Sequence, residues 1–149
     1  MSSYGSNLTL QQIVVEEMVY QINTGYDLSK ISEAQVSINP RPRLNKEDPS
    51  LGVLELEVTL FDQKFQEKNE PLFLKITVLG FYKADDVLGT EDNIFDKYLS
   101  NTISMLYPYI RSYIASITGM FGIDAIRLPA INVLKMLEEK VSENKNSNL

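Results

Sequence analysis

The sequence of 149 residues contains neither cysteine nor histidine, and the two absences exclude several classes of protein. Without cysteine the chain can form no disulfide framework and no thiolate metal site. Without histidine it lacks the most frequent general base, the usual partner of a catalytic serine and the most frequent metal ligand. We therefore expect a protein that is not an enzyme and that uses no cofactor and no metal.

Positive charge and long apolar runs are also scarce. The 14 basic residues against 20 acidic ones give a net charge of −6, which argues against a general nucleic-acid binder. No apolar run reaches the roughly 20 residues that cross a bilayer. The first seven residues have neither the basic region nor the apolar core of a signal peptide. These observations predict a cytoplasmic protein without membrane insertion, and its length suits a single domain with a substantial core.

No pattern of catalytic or nucleotide-binding residues stands out. The glycines do not have the spacing of a phosphate-binding loop. The densest group of carboxylates, Asp85, Asp86, Glu91 and Asp92, could in principle hold a hard cation. Its spacing matches no calcium loop, however, and a solvated acidic loop is the better interpretation.

The first half of the chain has the patterns of β-strands. Residues 10–22 suit a strand or a helix, and their β-branched residues favour a strand. A second strand is predicted over 35–39. Strict alternation over 51–65, a charged turn and a second alternating run from Pro71 to Leu79 predict an antiparallel hairpin that ends at Gly80–Tyr82. We expect Lys75 to pair across strands with Glu55 or Glu57.

Two prolines and two arginines alternate directly after the second predicted strand. Pro40 and Pro42 cannot donate to a ladder, so this segment is expected at a sheet edge. Arg41 and Arg43 would face the same way. They could clip an acidic partner, but charges that discourage edge-to-edge association are the favoured interpretation.

The second half of the chain has helical periodicity. One long helix is predicted from a cap at Thr90 or Asp92 to the glycines at 119 and 122, with a kink at Pro108. Asn132 would cap a shorter second helix. The fold class is therefore α+β, a four-stranded antiparallel sheet with two helices on one face. Residues 9–142 form the domain, between a flexible tail at 1–8 and a disordered tail at 143–149.

The long helix has more apolar surface than one sheet can cover. Its second apolar face predicts either an oligomer interface or an adaptable groove for apolar partners, and the interface is the safer interpretation. The residues assigned to that interface are Tyr98, Met105, Tyr109 and Tyr113.

The segment Leu106–Ile114, reading LYPYIRSYI, together with Gly122 and the LPAIN loop at 128–132, resembles the second half of the SecB export chaperones. The order of four strands and two helices agrees with that family over nearly the whole chain. The resemblance implies an ATP-independent holdase that keeps unfolded precursors in hydrophobic grooves and passes them to the SecA motor. It also implies a homotetramer built as a dimer of dimers through the long helices.

Pattern and resemblance together assign residues to these roles. The predicted client groove consists of Phe81, Tyr82, Phe121, Ile123, Ile126, Leu134 and Leu137. Glu17 matches one acidic SecA-facing position of the family. Gln21 and Lys75 fall at two others, and the C-terminal tail is nearly neutral, so client holding carries over better than SecA delivery.

Three alternatives remain open at this point. The chain could be a SecB-like chaperone specialised for one client, such as the antitoxin of a toxin–antitoxin pair. It could be an adaptor that uses the same apolar surface for one folded partner. It could also bind a small apolar ligand in the cleft between sheet and helices.

Overall fold

The computed structural model describes residues 7–30, 35–87 and 92–147. Four strands precede two helices, as the sequence predicts, with one short 3-10 turn at Leu28–Lys30. The elements are β1 (Leu8–Ile22), β2 (Val36–Leu44), β3 (Leu51–Leu60), β4 (Leu72–Ala84), α1 (Ile94–Met120) and α2 (Val133–Ser147).

The strands form one antiparallel sheet in the order β1-β4-β3-β2. Strands β2, β3 and β4 form a meander in which each strand pairs with the next in sequence. Strand β1, the first in the chain, pairs with the other side of β4. This order leaves β1 and β2 at the two edges. The predicted hairpin of β3 and β4 is confirmed, and the ladder from β2 to β3 continues through both prolines.

Two strand ends differ from the prediction. Strand β3 ends at Leu60 rather than at 65, because Phe61 has a φ of 61° and a strand cannot continue through that conformation. Strand β4 does not end at Gly80–Tyr82 but extends to Ala84. Gly80 lies inside the strand where α1 approaches closely, since a Cβ there would stand 3.2 Å from Leu106 Cδ2.

One face of the sheet is buried beneath α1. Its fully buried side chains alternate along β3 and β4, with Leu54, Leu56 and Val58 on the first strand. Gly52 lets the start of the helix lie directly on the sheet, because a Cβ at this position would stand 2.6 Å from Phe95 Cε2. Among the described residues no helix covers the opposite face of the sheet, which we call the open face.

Helix α1 is capped by Asn93 rather than by the predicted Thr90 or Asp92. The Asn93 side chain accepts hydrogen bonds from the amides of Phe95 (2.9 Å) and Asp96 (3.1 Å), and Asp96 Oδ2 accepts one from the Asn93 amide (3.0 Å). This reciprocal arrangement is a capping box. Asp92 precedes the cap, and Thr90 lies outside the described residues.

The break in α1 is not where the proline predicts it. The backbone is helical at Pro108 and departs from helical angles at Tyr98, with φ −128° and ψ 16°. Pro108 and Ser104, whose carbonyl loses its amide donor, are both on the exposed side of α1, which reduces the cost of the missing hydrogen bond. The Tyr98 hydroxyl donates to Asp86 at 2.6 Å, a contact that holds this first turn.

Helix α2 is capped as predicted, since the Lys135 amide donates to Asn132 Oδ1 at 3.0 Å. The helix extends through 143–147, which the sequence assigned to a disordered tail. Among the described elements α2 contacts only α1. Its position therefore depends on α1 and on the loop between the two helices.

A candidate apolar contact surface

Strand β1 exposes apolar side chains along a free edge. Val15 and Met18 are 47% and 40% exposed, although they lie opposite Val78 and Ile76, which are fully buried beneath α1. Residues directly opposite in a ladder share a face of the sheet. The helix-covered face thus continues outward to β1, where part of its apolar surface is uncovered.

Helix α1 flanks this edge with its second apolar face. Met105 and Tyr109 line a groove of about 940 Å³ whose other wall is the segment from Leu8 to Ile13. Tyr109 is 46% exposed. We call Val15 and Met18 of β1, with Met105 and Tyr109 of α1, the β1–α1 surface.

The four residues predicted for an oligomer interface differ in their surroundings. Met105 and Tyr109 belong to the β1–α1 surface, and Tyr113 is half-buried one turn further along. Tyr98 is held by Asp86 at the start of α1. Hydrogen bonds from Lys97, and to a smaller extent from Tyr98, lower the pKa of the Asp86 carboxyl. This carboxyl therefore binds residues at the start of α1.

The seven residues predicted for a client groove do not form one groove in the chain. Phe81 and Tyr82 are neighbours in β4, so their side chains lie on opposite faces of the sheet. Tyr82 is 1% exposed and its hydroxyl donates to the Thr102 carbonyl at 2.6 Å. Ile123 and Ile126 are part of the hydrophobic core.

The accessible members of that set surround the inter-helix loop and α2. Phe121 is exposed on one side and stacks on Tyr20 of β1, with ring centroids 4.4 Å apart. Leu134 is 63% exposed, and Leu137 is half-buried. Phe121 thus joins the inter-helix loop to the same edge that carries the β1–α1 surface.

The inter-helix loop is fastened to α1 by side chains. The Tyr107 hydroxyl donates to the Pro129 carbonyl (2.8 Å), and Arg111 Nε donates to the Leu128 carbonyl (3.0 Å). Thr118 Oγ1 accepts from the Ile126 amide at 2.8 Å. These contacts explain why a tyrosine and an arginine stand in the LYPYIRSYI segment.

The open face of the sheet carries charges that neutralise one another. Arg41 contacts Glu55 (2.9 Å) and Glu57 (3.0 Å), and Arg43 binds Glu55 as well. The hydrogen bond from Arg41 lowers the pKa of Glu55, which is almost buried. The two arginines therefore bind carboxylates of their own chain and are not free to clip an acidic partner.

Glu17, the residue matched to a SecA-facing position, lies on this open face. It binds Lys75 at 2.7 Å, so Lys75 pairs with β1 rather than with the predicted Glu55 or Glu57. Gln21 is exposed further along the same strand. The acidic surface that the resemblance implies is thus partly neutralised at this place.

Sequence reasoning did not select Val15 and Met18. Their pattern predicts a strand, but no local signal tells that this strand lies at an edge of the sheet. The absence of proline from residues 8–22 indicates only that the strand can pair along its whole length, at an edge or in the centre of a sheet.

No helix in the described ranges of the chain is long and apolar enough to cross a membrane. Within the same ranges, no group of three or more acidic side chains is placed to hold a metal ion.

No protein-family model matches the sequence. An uncharacterised protein of Methanocaldococcus jannaschii is 26% identical over 140 residues, which cover 92% of this chain and 88% of the relative. Among solved structures, the chain is similar to the SecB-like chaperone Rv1957 of Mycobacterium tuberculosis, determined in complex with a ChAD peptide from the HigA1 antitoxin. The TM-score is 0.66 at 14% identity, over 84% of this chain and 90% of the other. The chain therefore has a SecB-like fold.

Proposed function

We propose that the chain is an ATP-independent molecular chaperone that holds unfolded polypeptides on apolar surface. The observation that carries this proposal is the combination of a SecB-like fold with apolar side chains left exposed along β1, α1 and α2. A monomeric protein rarely exposes a large continuous apolar area without a binding role. Binding of this kind requires no enzyme activity.

Part of the exposed surface suits self-association. The β1–α1 surface combines a strand edge that lacks proline with a flanking row of methionine and tyrosine. We propose that copies of the chain associate here into a homotetramer, a dimer of dimers, with Tyr98, Met105, Tyr109 and Tyr113 at or beside the contact. Burial of such large side chains contributes about 1.5–3 kcal/mol each.

The remaining accessible apolar residues are assigned to clients. In our proposal, Phe121, Leu134 and Leu137 contact the unfolded chain directly. Ile123 and Ile126 support them from the core, and Tyr82 has only a structural role. Phe81, on the open face, belongs to a separate cavity of about 550 Å³ beside Arg43 and Lys46.

A chaperone dedicated to one client is the second candidate. The observation that favours it is the antitoxin peptide bound to the similar Rv1957 chaperone. A cytoplasmic location and a role in Sec-dependent export, with delivery of clients to SecA, rest on the sequence resemblance. The pairing of Glu17 with Lys75 weakens the case for SecA delivery. The two candidates differ in client range rather than in the surface used.

The test is binding to a slow-folding polypeptide in unfolded and native form, without nucleotide, with complex mass measured by light scattering. A general holdase binds several unrelated unfolded chains as a particle of about four copies and ignores the native forms. A dedicated chaperone binds one cognate segment and few others. Absence of binding to every unfolded chain, or preference for a native protein, would replace the chaperone proposal by the adaptor alternative. A small molecule retained in native mass spectrometry would favour the ligand-binding alternative.

A further inference from the structure

We propose that Tyr107, Arg111 and Thr118 form a polar latch that holds the inter-helix loop and α2 in the position needed to receive a client. This inference rests on the proposed chaperone function. It assigns the three residues a positioning role, since none of them needs to touch the client. All three lie on α1, and all three bind the backbone of the loop.

The contacts of the loop show why a latch is needed. Residues 122–131 have no regular secondary structure, so a helix or sheet does not supply partners for their backbone groups as it does at the two ends of the loop. The latch supplies a partner to the Ile126 amide and to the carbonyls of Leu128 and Pro129. Thr118 is fully buried, and burial raises the pKa of Tyr107, so water competes little for these hydrogen bonds.

Apolar anchors fix the same segment beside the latch. Ile123, Ile126, Leu128 and Val133 are buried in the core, and α2 starts at the last of them. Helix α2 has no other described element to rest on than α1. Displacement of the loop would therefore carry Leu134 and Leu137 with it.

The latch makes the client site a preformed wall rather than a movable lid. A site that is already ordered does not lose free energy to ordering when a client binds. If the latch opens, the apparent Kd rises in inverse proportion to the fraction of molecules that stay latched. A variant in which about one molecule in five is latched would bind clients about fivefold more weakly.

The experiment uses the full chain with three substitutions on the latch. Thr118→Val keeps the shape of the side chain but leaves the Ile126 amide without an acceptor, and Tyr107→Phe removes one donor. Thr118→Ser retains the hydroxyl and serves as the rescue. Tyr26→Phe removes a hydroxyl from a half-buried tyrosine outside α1 and the loop, and is the matched control.

Two quantities are measured at a temperature where every variant is folded by circular dichroism. One is amide hydrogen exchange in the loop and α2, and the other is the Kd for an unfolded polypeptide. We expect faster exchange in Thr118→Val and in the double variant with Tyr107→Phe, with a Kd about fivefold higher in the double variant. Thr118→Ser and Tyr26→Phe should match the natural sequence in both quantities.

Unchanged exchange in the double variant would show that the contacts of Tyr107 and Thr118 do not hold the loop, and would overturn the inference. Faster exchange with an unchanged Kd would show a merely structural contact and would also overturn the inference. Failure of the natural sequence itself to bind any unfolded chain would refute the proposed function first, and the positioning role in client binding would be refuted with it.

Discussion

The two edges of the sheet are built in opposite ways. Strand β2 has nine residues and includes Pro40 and Pro42, whereas β1 has 15 residues and no proline. Because the ladder from β2 to β3 is unbroken at both prolines, the missing amide donors are those of the free side. A further strand can therefore add to β1 but not readily to β2.

The side chains of the two edges follow the same division. On β2, Arg41 and Arg43 are bound to carboxylates of β3 and cover the edge with charge. On β1, Val15 and Met18 remain exposed, and the start of the same strand forms a groove with Tyr109 of α1. One sheet thus combines an edge protected against association with an edge suited to it, so we expect the proposed association on one side of the molecule.

We expect the largest effect on oligomeric state from a charge placed in the β1–α1 surface. Tyr109→Asp places a carboxylate in the β1–α1 surface, where association would have to desolvate it without a partner. We expect the proposed tetramer to dissociate while secondary structure is unchanged, because Tyr109 is already 46% exposed in the single chain. Light scattering and circular dichroism measure the two properties.

The control for this substitution lies on the protected edge. Leu44 is 56% exposed at the end of β2, so Leu44→Asp adds the same charge at an equally accessible apolar position. Its mass in solution should equal that of the natural sequence. Equal dissociation by both substitutions, or by neither, would refute the proposed difference between the edges.

The second largest effect should follow from removing the protection of β2. Pro40→Val together with Pro42→Val restores two outward amide donors and leaves an edge that can pair. We expect concentration-dependent particles larger than those of the natural sequence, measured by sedimentation velocity. Pro42→Val alone restores only one donor and should increase the particle size less. Arg41 and Arg43 are intact in both variants. A single sharp species for the double variant would show that the arginines alone protect this edge.

The ion pairs of the protected edge should have a measurable effect on stability. Glu55 is 8% exposed, and its hydrogen bond from Arg41 lowers its pKa below the usual 4.5. Its charged form therefore stabilises the fold above that pH, and the contribution is lost as pH falls through the lower folded-state pKa. Glu55→Gln should reduce the free energy of unfolding by about 1 kcal/mol at neutral pH. Urea titrations at neutral pH and at about pH 3 should show this difference shrinking in acid.

The smallest effect is expected for the ion pair beside β1. Glu17 binds Lys75 at 2.7 Å, but its side chain is 52% exposed and solvent screens the attraction. Glu17→Gln should leave the urea midpoint unchanged within error at neutral pH. A loss of stability as large as that of Glu55→Gln would mean that the ion pairs of Glu17 and Glu55 stabilise the fold equally.

Much of the fold follows from local pattern in the sequence. Alternation over β3 and β4, helical periodicity over α1 and the prolines of β2 predicted the element order, and these predictions are confirmed. The kink was assigned to Pro108 because proline is the most frequent cause of one, but the non-helical backbone lies at Tyr98. That departure accompanies a contact with Asp86, which no local pattern reveals.

The candidate site was less predictable than the fold. The helical spacing of Met105 and Tyr109 predicted that they share a face of the helix, and both line the groove beside β1. The groove assignment placed Phe81 and Tyr82 together because the strand was taken to end there, whereas within a strand neighbours point to opposite faces. The role of β1 depends on the order of strands in the sheet, and the latch depends on contacts between distant side chains and backbone. Neither is encoded in local periodicity.

The strand order also has a consequence for how the chain folds. Strands β2, β3 and β4 pair with their neighbours in sequence, so the meander can form early from local contacts. Strand β1 is synthesised first, yet Ile22 must wait for Leu72 of β4 before it can pair. We therefore expect β1, which carries the free edge, to join the sheet last. Until it does, β4 is itself an unpaired edge, and the nascent chain is most exposed to misassociation during that interval.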